Sequence, residues 1–294
     1  MQELAKRVMT ALIGIPIFLL ALAGPPTTVF PKGSTWLLLV LLIALLGTAE
    51  LLLAFEKRYP DGHVNRPLAM IAVYLPVDSW LGMQLQAPFL PALRLVAVSV
   101  VLAALAWEVW QAERTRRLCV WGNVGAATLV ALYPGVLLSL WVKLRLLDVG
   151  CSHRAGWLSD GVPLILLACV AVWVGDSAAY LLGTRFGRRQ MAPVLSPRKS
   201  WEGAVAGVLF GAAAAVLASF WIGLSPIAAL VLGIASTCAG QVGDLFESAL
   251  KRELAVKDFG GLLPGHGGVM DRFDSLLFAL PVVYILSHFL PICP

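Results

Sequence analysis

The stretch from Ser248 to Ser275 concentrates charged side chains of both signs within an otherwise apolar chain. Its sequence is SALKRELAVKDFGGLLPGHGGVMDRFDS, and its titratable residues include Lys251, Arg252, Lys257, Asp258, His266, Asp271, Arg272 and Asp274. Cationic side chains suit a phosphate group, whereas carboxylates suit a hard metal ion that prefers oxygen ligands. Glycines in the same stretch let backbone amides approach a ligand closely. The pattern therefore indicates a metal-bound polyphosphate held against a membrane.

Carboxylates at helical spacing are the candidate metal ligands. Asp271 and Asp274 are three residues apart at the start of the last apolar run, so both can face one direction. Asp274 alone also has a simpler explanation, because an acid at a helix N-terminus interacts favourably with the helix dipole. Mg²⁺ is typically held by one or two carboxylates together with substrate phosphates. We predict that Asp244 and Asp271 hold the metal, with Asp274 or Asp176 completing the site or holding a second cation.

Two of these acids lie inside apolar runs, where a carboxylate at the bilayer centre costs about 2.5–3.5 kcal/mol. Gln241, Asp244 and Ser248 share one helical face, which indicates either a ligand-facing stripe or a hydrogen bond between helices. Asp176 lies among small residues in VGDSAAYLLGTRFG, so a packing seam with one buried acid is the alternative there.

A second polar segment, residues 185–202 with the sequence RFGRRQMAPVLSPRKSWE, lies between two apolar runs. Arg188 and Arg189 either have a role in ligand binding or are simply positive residues of a cytoplasmic loop or contacts to lipid headgroups. SPRKSWEG is a tighter constellation, in which Ser196 or Ser200 can cap the following helix. The N-terminus of that helix is a candidate anion site.

The glycine turn at His266, Gly267 and Gly268 is the candidate phosphate cradle. His266 either serves as a structural donor within the turn or donates to a phosphate oxygen. The sequence contains no H-x-H, H-E-x-x-H or C-x-x-C pattern, which argues against zinc. It also lacks G-x-S-x-G and G-x-x-x-x-G-K-[ST], which argues against a serine hydrolase and a P-loop ATPase.

The composition places the chain in the membrane class. Of its 294 residues, 59% are hydrophobic and only 13% are charged, and its mean hydropathy is +0.84. Soluble domains carry about 25% charged residues. The net charge of +5 does not indicate a nucleic-acid partner, because the basic residues cluster in short loops between apolar runs.

Apolar runs long enough to cross a bilayer need about 20 residues each. The third of them is the weakest, because Pro76, Asp78 and Gly82 interrupt it. Glu50 and Asp78 have no polar company like that of the other acids, and we interpret each as structural or interfacial rather than catalytic. We predict an all-α polytopic membrane protein with nine spans at residues 8–23, 35–55, 67–86, 92–108, 120–142, 161–183, 203–222, 226–248 and 274–291.

Orientation follows from the distribution of Lys and Arg, which favour the cytoplasmic side. A cytoplasmic N-terminus places 17 of these residues inside and 5 outside. Residues 1–119 then hold four spans, and residues 120–294 form a C-terminal catalytic bundle with cytoplasmic loops 185–202 and 249–273. The first run, preceded by Lys6 and Arg7, resembles a signal peptide, but Pro25 follows closely and we favour a retained anchor.

The pattern S-x-x-K-R-x4-K-D-x-G-x2-L-P-G-H-G-G-x-x-D-R-x-D resembles the signature of phosphatidate cytidylyltransferases, also called CDP-diacylglycerol synthases. This sequence matches it at Ser248, Lys251, Arg252, Lys257, Asp258, Gly260, Leu263, Pro264, Gly265, His266, Gly267, Gly268, Asp271, Arg272 and Asp274. VGDSAAYLLGTRFG and SPRKSWEG resemble two further segments of the family, and ALYPGVLLSLWVKLR is a looser match. The first hundred or so residues match the family only in hydropathy.

The resemblance implies a magnesium-dependent enzyme of phospholipid biosynthesis in the bacterial inner membrane. It implies that phosphatidic acid and CTP give CDP-diacylglycerol and pyrophosphate on the cytoplasmic leaflet, and that the protein is a homodimer. In the corresponding hypothesis, Asp244 and Asp271 hold Mg²⁺ against the phosphates. The side chains that offset charge or bind substrate are then Lys199, Ser200, Ser248, Lys251, Arg252, His266 and Arg272, with the backbone of Gly267 and Gly268.

Three alternatives compete with this hypothesis. A cation-coupled transporter could line its pathway with Asp176 and Asp244, but it predicts polar groups in both leaflets and paired half-repeats. Here the polar groups concentrate in the cytoplasmic half, and the sequence shows no convincing repeat. A nearer alternative is another nucleotide-dependent lipid enzyme, such as a polyprenol kinase or a cytidylyltransferase acting on a different lipid phosphate. An inactive relative is disfavoured, because every signature acid and base is present.

Overall fold

The computed structural model describes residues 2–24, 31–60, 64–84, 90–115, 120–150, 160–260 and 267–293. Within these ranges the chain forms helices joined by short connections and one small hairpin. The elements are α1 Gln2–Ala23, α2 Ser34–Arg58, α3 Arg66–Ala69, α4 Ile71–Gln84, α5 Leu90–Thr115, α6 Val120–Leu146, α7 Val162–Phe186, β1 Gln190–Ala192, β2 Ser196–Ser200, α8 Trp201–Ile222, α9 Pro226–Glu253 and α10 Met270–Ser287.

Among the described residues, six helices are long and apolar enough to cross a membrane. They run over Ser34–Arg58, Arg94–Gln111, Gly122–Leu146, Val162–Phe186, Trp201–Ile222 and Pro226–Glu253. Large apolar side chains such as Leu209 and Trp221 remain exposed on them, as expected for lipid-facing positions. The prediction of a helical, multi-pass membrane protein is therefore confirmed. The count of nine spans and the cytoplasmic N-terminus stay predictions.

The weakest predicted span, residues 67–86, is not one continuous helix. It is divided between α3 and the 14-residue α4, with Met70 at the break. Asn65 caps the short α3 by accepting a hydrogen bond from the Leu68 amide at 3.1 Å. Pro76 lies inside α4 and removes one backbone donor from that helix.

The chain divides into two compact units, and the first comprises Met1–Ala21, Thr27–Lys143 and Leu254–Asp271. Trp36 and Trp141 are fully buried in it, with ring centroids 6.0 Å apart. A buried polar network also joins its helices, because the Glu108 carboxylate accepts hydrogen bonds from the Asn65 and Asn123 amides at 3.0 and 3.1 Å. Satisfied buried polar groups of this kind fix how helices pair in an apolar environment.

The second unit comprises Leu22–Pro26, Leu144–Glu253 and Arg272–Pro294. Small residues let its helices α7, α8 and α9 approach closely. A Cβ atom at Gly175 would lie 2.7 Å from the Thr237 methyl carbon and 3.0 Å from the Gly207 carbonyl oxygen. The seam of small residues predicted around Asp176 is therefore present, and it brings the polar side chains of these helices together.

The segment predicted as a loop over residues 185–202 contains an antiparallel hairpin. β1 pairs with β2 such that Gln190 lies opposite Ser200 and Ala192 lies opposite Ser196. Its strands have three and five residues, and β2 contains Pro197, which is why alternation in the sequence did not reveal it.

Two side chains join this hairpin to α8. The Ser200 hydroxyl accepts a hydrogen bond from the Gly203 amide at 3.2 Å, which confirms Ser200 as a helix cap. The Glu202 carboxylate, in the first turn of α8, accepts hydrogen bonds from the Arg188 and Arg189 amides. The hairpin and the helix start therefore form one rigid platform for the residues on β2.

Candidate active site

Three carboxylates of the second unit form a tight cluster. Asp244 and Glu247 come from α9 and Asp274 comes from α10, and one oxygen of each lies within 4.8 Å of the others. The approach of the two helices depends on Gly243, because a Cβ atom there would lie 2.5 Å from the Asp274 carbonyl oxygen. A glycine next to Asp244 thus permits the cluster to form.

Two lysines form ion pairs with this cluster, one from the hairpin that precedes α8 and one from α9 itself. The Lys199 ammonium group, on β2, contacts the Asp244 carboxylate at 2.5 Å. The Lys251 ammonium group, one turn further along α9, contacts the Glu247 carboxylate at 3.1 Å. Glu247 is only 1% exposed, whereas Asp244 is 36% exposed. The cluster is therefore closed on the Glu247 side and accessible at Asp244.

Asp176 adds a fourth carboxylate from α7. It lies close enough to Asp274, Asp244 and Lys199 to interact with them electrostatically. The structure therefore brings together the predicted residues Asp176, Lys199, Asp244 and Asp274.

The charges of this site suit a divalent cation. Its four carboxylates outnumber the two ammonium groups that pair with them. Carboxylate oxygens are the ligands that Mg²⁺ prefers. Lysines at the rim present donors to the phosphates that usually accompany this metal. The donor set thus fits a magnesium ion bound together with a polyphosphate. We refer to the four carboxylates of Asp176, Asp244, Glu247 and Asp274 as the acid cluster site.

The glycine turn of the signature belongs to the first unit and is organised by Asp271. The Asp271 Oδ2 atom accepts hydrogen bonds from the Phe259 amide at 3.0 Å and from the Gly268 amide at 2.8 Å. Gly267 has a φ of 81°, and a Cβ atom there would lie 3.1 Å from the same oxygen. A glycine is needed at position 267 for both reasons.

Comparison with known proteins identifies the family. The model of the cytidylyltransferase family matches residues 5–290. The chain belongs to the cytidylyltransferase family. It is 32% identical to the phosphatidate cytidylyltransferase of Staphylococcus haemolyticus over 287 residues, which cover 95% of this chain and 97% of that protein. It is 37% identical to the Bacillus subtilis protein of the same name over 196 residues, or 65% of this chain and 66% of that protein.

The resemblance drawn from the signature is thereby confirmed, as is the prediction of a nucleotidyltransferase enzyme. A phosphatidate cytidylyltransferase of Mycobacterium tuberculosis is also 32% identical over 196 residues, which span 65% of this chain and 58% of that protein. The matches extend well beyond the C-terminal signature, because the family model begins at residue 5.

The other predicted substrate-binding and catalytic residues of this cytidylyltransferase differ in exposure and in their contacts. Arg252 is exposed, and its Nε atom donates to the Leu195 carbonyl oxygen at 3.3 Å. Arg272 is exposed, whereas Ser248 is half-buried on α9, one turn beyond Asp244. His266 lies outside the described residues. The substrate-binding roles of these residues stay predictions.

Two interpretations of helical residues gain a structural answer. The Gln241 side chain donates to the Ala204 carbonyl oxygen of α8 at 3.0 Å, so it forms the hydrogen bond between helices that was one of the two alternatives. Asp244, on the same face, instead faces Lys199 and the acid cluster. A ligand-facing role for Asp244 stays a prediction.

Sequence reasoning missed Glu247. This residue is three positions after Asp244 and four before Lys251, and both spacings bring side chains together on a helix. Applying that rule in both directions along α9 would have identified it. The same reasoning left Glu50 without a defined role, because its partners lie more than two hundred residues away.

Proposed function

We propose that this protein transfers the cytidylyl group of CTP to phosphatidic acid, giving CDP-diacylglycerol and pyrophosphate. The single observation that carries the proposal is the acid cluster site with its two lysines in a chain of the cytidylyltransferase family. The relatives named above are phosphatidate cytidylyltransferases, which supports CTP and phosphatidic acid as the substrates.

Asp244, Glu247 and Asp274 are the residues we assign to Mg²⁺, with Asp176 as a further acid at the site. Bound there, the metal supplies charge neutralisation for the phosphates and for the leaving pyrophosphate. The assignment of Asp271 as a metal ligand stays a prediction from the signature, as does a second cation.

Two lysines stabilise the negative charge of the reacting phosphates. Lys199 and Lys251 are held by acidic partners at 2.5 and 3.1 Å, so their ammonium groups are in place before substrate arrives. Groups positioned in advance stabilise charge that develops on transferring phosphoryl oxygens without reorganising during the reaction. We assign them to phosphate oxygens of CTP, with Arg252 as a further cation at the exposed end of α9.

The reaction itself is an in-line displacement. A phosphate oxygen of phosphatidic acid forms a bond to the α-phosphorus of CTP, and the bond from that phosphorus to the bridging oxygen of the β-phosphate breaks. The electron pair of the broken bond leaves with pyrophosphate. Because a phosphate monoester is already anionic at neutral pH, the attacking oxygen needs no protein base.

The membrane gives this reaction its setting. The Lys and Arg distribution supports a site on the cytoplasmic side of the inner membrane, where CTP is available. Exposed apolar side chains on the helices allow the acyl chains to remain in lipid while the headgroup enters the site. Homodimer formation is retained from the family resemblance.

The test uses purified protein in detergent with phosphatidic acid, Mg²⁺ and CTP labelled at the α-phosphate. We expect label in the lipid extract, no label transfer from ATP, and at least a 100-fold loss in Asp244→Asn. Asp78→Asn is the matched control, because Asp78 is also partly exposed, at 21%, and also pairs with one cation, Arg94 at 3.0 Å. A parallel assay uses ATP labelled at the γ-phosphate, because a lipid kinase would transfer that phosphoryl group. Transfer from this ATP instead of from CTP would identify a lipid kinase, and folded protein without any transfer would overturn the proposal.

A further inference from the structure

We infer that Glu50, on α2, is a positioning residue for the signature turn, which we define as Phe259–Gly260 and Gly267–Asp271. This inference rests on the proposed function, because it assigns Glu50 to the placement of Asp271. Glu50 is 3% exposed in a helix that is otherwise apolar over most of its length. A carboxylate at such a position is costly and is retained where it has a defined partner.

The partners of Glu50 are two backbone amides at the start of α10. The Oε1 atom accepts a hydrogen bond from the Val269 amide at 2.8 Å, and the Oε2 atom accepts one from the Met270 amide at 3.0 Å. The first amides of a helix have no partner within the helix, and a negative charge there also interacts favourably with the helix dipole. Glu50 of α2 therefore caps the N-terminus of α10 with both of its carboxylate oxygens.

The Glu50 carboxylate fits against the turn only because glycines lie beside it. A Cβ atom at Gly260 would lie 2.5 Å from Glu50 Oε1, and one at Gly268 would lie 2.6 Å from Oε2. One turn earlier on α2, a Cβ atom at Gly47 would lie 2.5 Å from the Met270 sulfur. Glycines on both sides of the contact thus make room for the carboxylate and for the residue it binds.

Glu50 and Asp271 hold the same turn through different amides. Asp271 accepts from Phe259 and Gly268, whereas Glu50 accepts from Val269 and Met270. Met270 immediately precedes Asp271. By binding the Met270 amide, the carboxylate of Glu50 therefore fixes the position of the backbone that leads into Asp271. Glu50 acts through the turn and makes no contact with substrate in this proposal.

A matched residue separates positioning from general stability. Glu108, also in the first unit, is 4% exposed and accepts hydrogen bonds from two side-chain amides. Loss of its charge tests what removal of a buried, hydrogen-bonded carboxylate does elsewhere in the same unit. Glu108→Gln is therefore the control for Glu50→Gln.

The first experiment measures hydrogen exchange and steady-state kinetics on the full chain in detergent. In Glu50→Gln we expect the Val269 and Met270 amides to exchange about 10- to 100-fold faster, since hydrogen bonds to a charged group are lost. We expect kcat to fall about 100-fold, the scale of a small misplacement of catalytic groups, with KM for phosphatidic acid within about threefold. Glu108→Gln should leave both readouts within about threefold.

The second experiment tests the shape of the contact with Gly260→Ala. In the natural background the added methyl group meets the Glu50 carboxylate, so we expect a loss of kcat of about 10-fold or more. In Glu50→Ala the space is open, so the double variant should be no more than about threefold worse than Glu50→Ala alone. Independent, multiplying losses would contradict the inference.

The outcomes distinguish the two proposals. If the natural protein transfers label from CTP but Glu50→Gln keeps its kcat and its exchange rates, the positioning role is overturned and the proposed function stands. If the natural protein transfers no label, the proposed function fails, and with it the role of Glu50 in that reaction. The exchange rates then still show whether Glu50 holds the turn.

Discussion

The Lys199 ammonium group on β2 forms an ion pair with the Asp244 carboxylate on α9 at 2.5 Å. The pair joins the hairpin platform to the acid cluster site. Lys199 is held on a strand whose end is fixed by the Ser200 cap and by the hydrogen bonds of Glu202. Its position is therefore set by the fold and does not await the ligand.

Replacing Lys199 with Gln should reduce kcat/KM for CTP about 100-fold or more. The lost ammonium group can no longer offset the charge of the phosphates, and Asp244 loses its partner. Arg198→Gln is the matched control, because Arg198 is the preceding residue on β2 and is exposed. Steady-state label transfer measures both variants, and equal losses in the two would contradict a specific role for Lys199.

Glu247→Gln should raise the Mg²⁺ concentration required for half-maximal activity and lower kcat. Glu247 contributes one of three clustered carboxylate oxygens and is the deeply buried member of the cluster. Its removal also leaves Lys251 beside a neutral amide, so the variant should lose stability. Glu253→Gln, at the exposed end of the same helix, should change neither quantity. An unchanged magnesium requirement in Glu247→Gln would exclude Glu247 from the metal site.

Removal of divalent cations should change both the activity and the thermal stability of the protein. We expect EDTA to abolish label transfer and to lower the melting temperature of the purified protein, since the site then holds excess negative charge. Mg²⁺ should reverse both effects through its preferential binding to the folded state. In a variant combining Asp244→Asn and Asp274→Asn, the Mg²⁺-dependent shift in melting temperature should disappear. Persistence of the full shift would place the metal elsewhere.

Much of the helical framework could be predicted from hydropathy. The predicted runs 203–222 and 226–248 correspond to α8 (Trp201–Ile222) and α9 (Pro226–Glu253), because a bilayer requires continuous apolar helices. A serine cap at Ser196 or Ser200 was also predictable, since capping depends on local sequence, and the structure shows that Ser200 is the cap. Local rules thus succeeded where the responsible interactions are themselves local.

Interactions between distant residues could not be predicted in the same way. Glu50 bonds to amides 219 and 220 residues further along the chain, and no feature near Glu50 specifies those partners. The sequence pattern showed Asp271 as an acid but gave no sign that its Oδ2 atom accepts from both the Phe259 and the Gly268 amides. Such bonds depend on how helices pack, which a single sequence does not encode in any short window.

Gly243 offers a test of the packing that assembles the acid cluster site. A Cβ atom at this position would lie 2.5 Å from the Asp274 carbonyl oxygen and 2.9 Å from the Phe278 ring. Gly243→Ala should therefore force α9 and α10 apart, at a cost of about 1–3 kcal/mol in the free energy of unfolding. Because Asp274 moves with α10, kcat should fall by about 10-fold or more.

The control is Gly125→Ala on α6, where a Cβ atom would meet nothing within 4 Å. Alanine is the better helix former, so this substitution should be neutral or slightly stabilising. Thermal melting and label transfer on both variants decide the matter. If Gly243→Ala behaves like Gly125→Ala in both measurements, close approach of α9 and α10 at Asp274 is not what holds the acid cluster together.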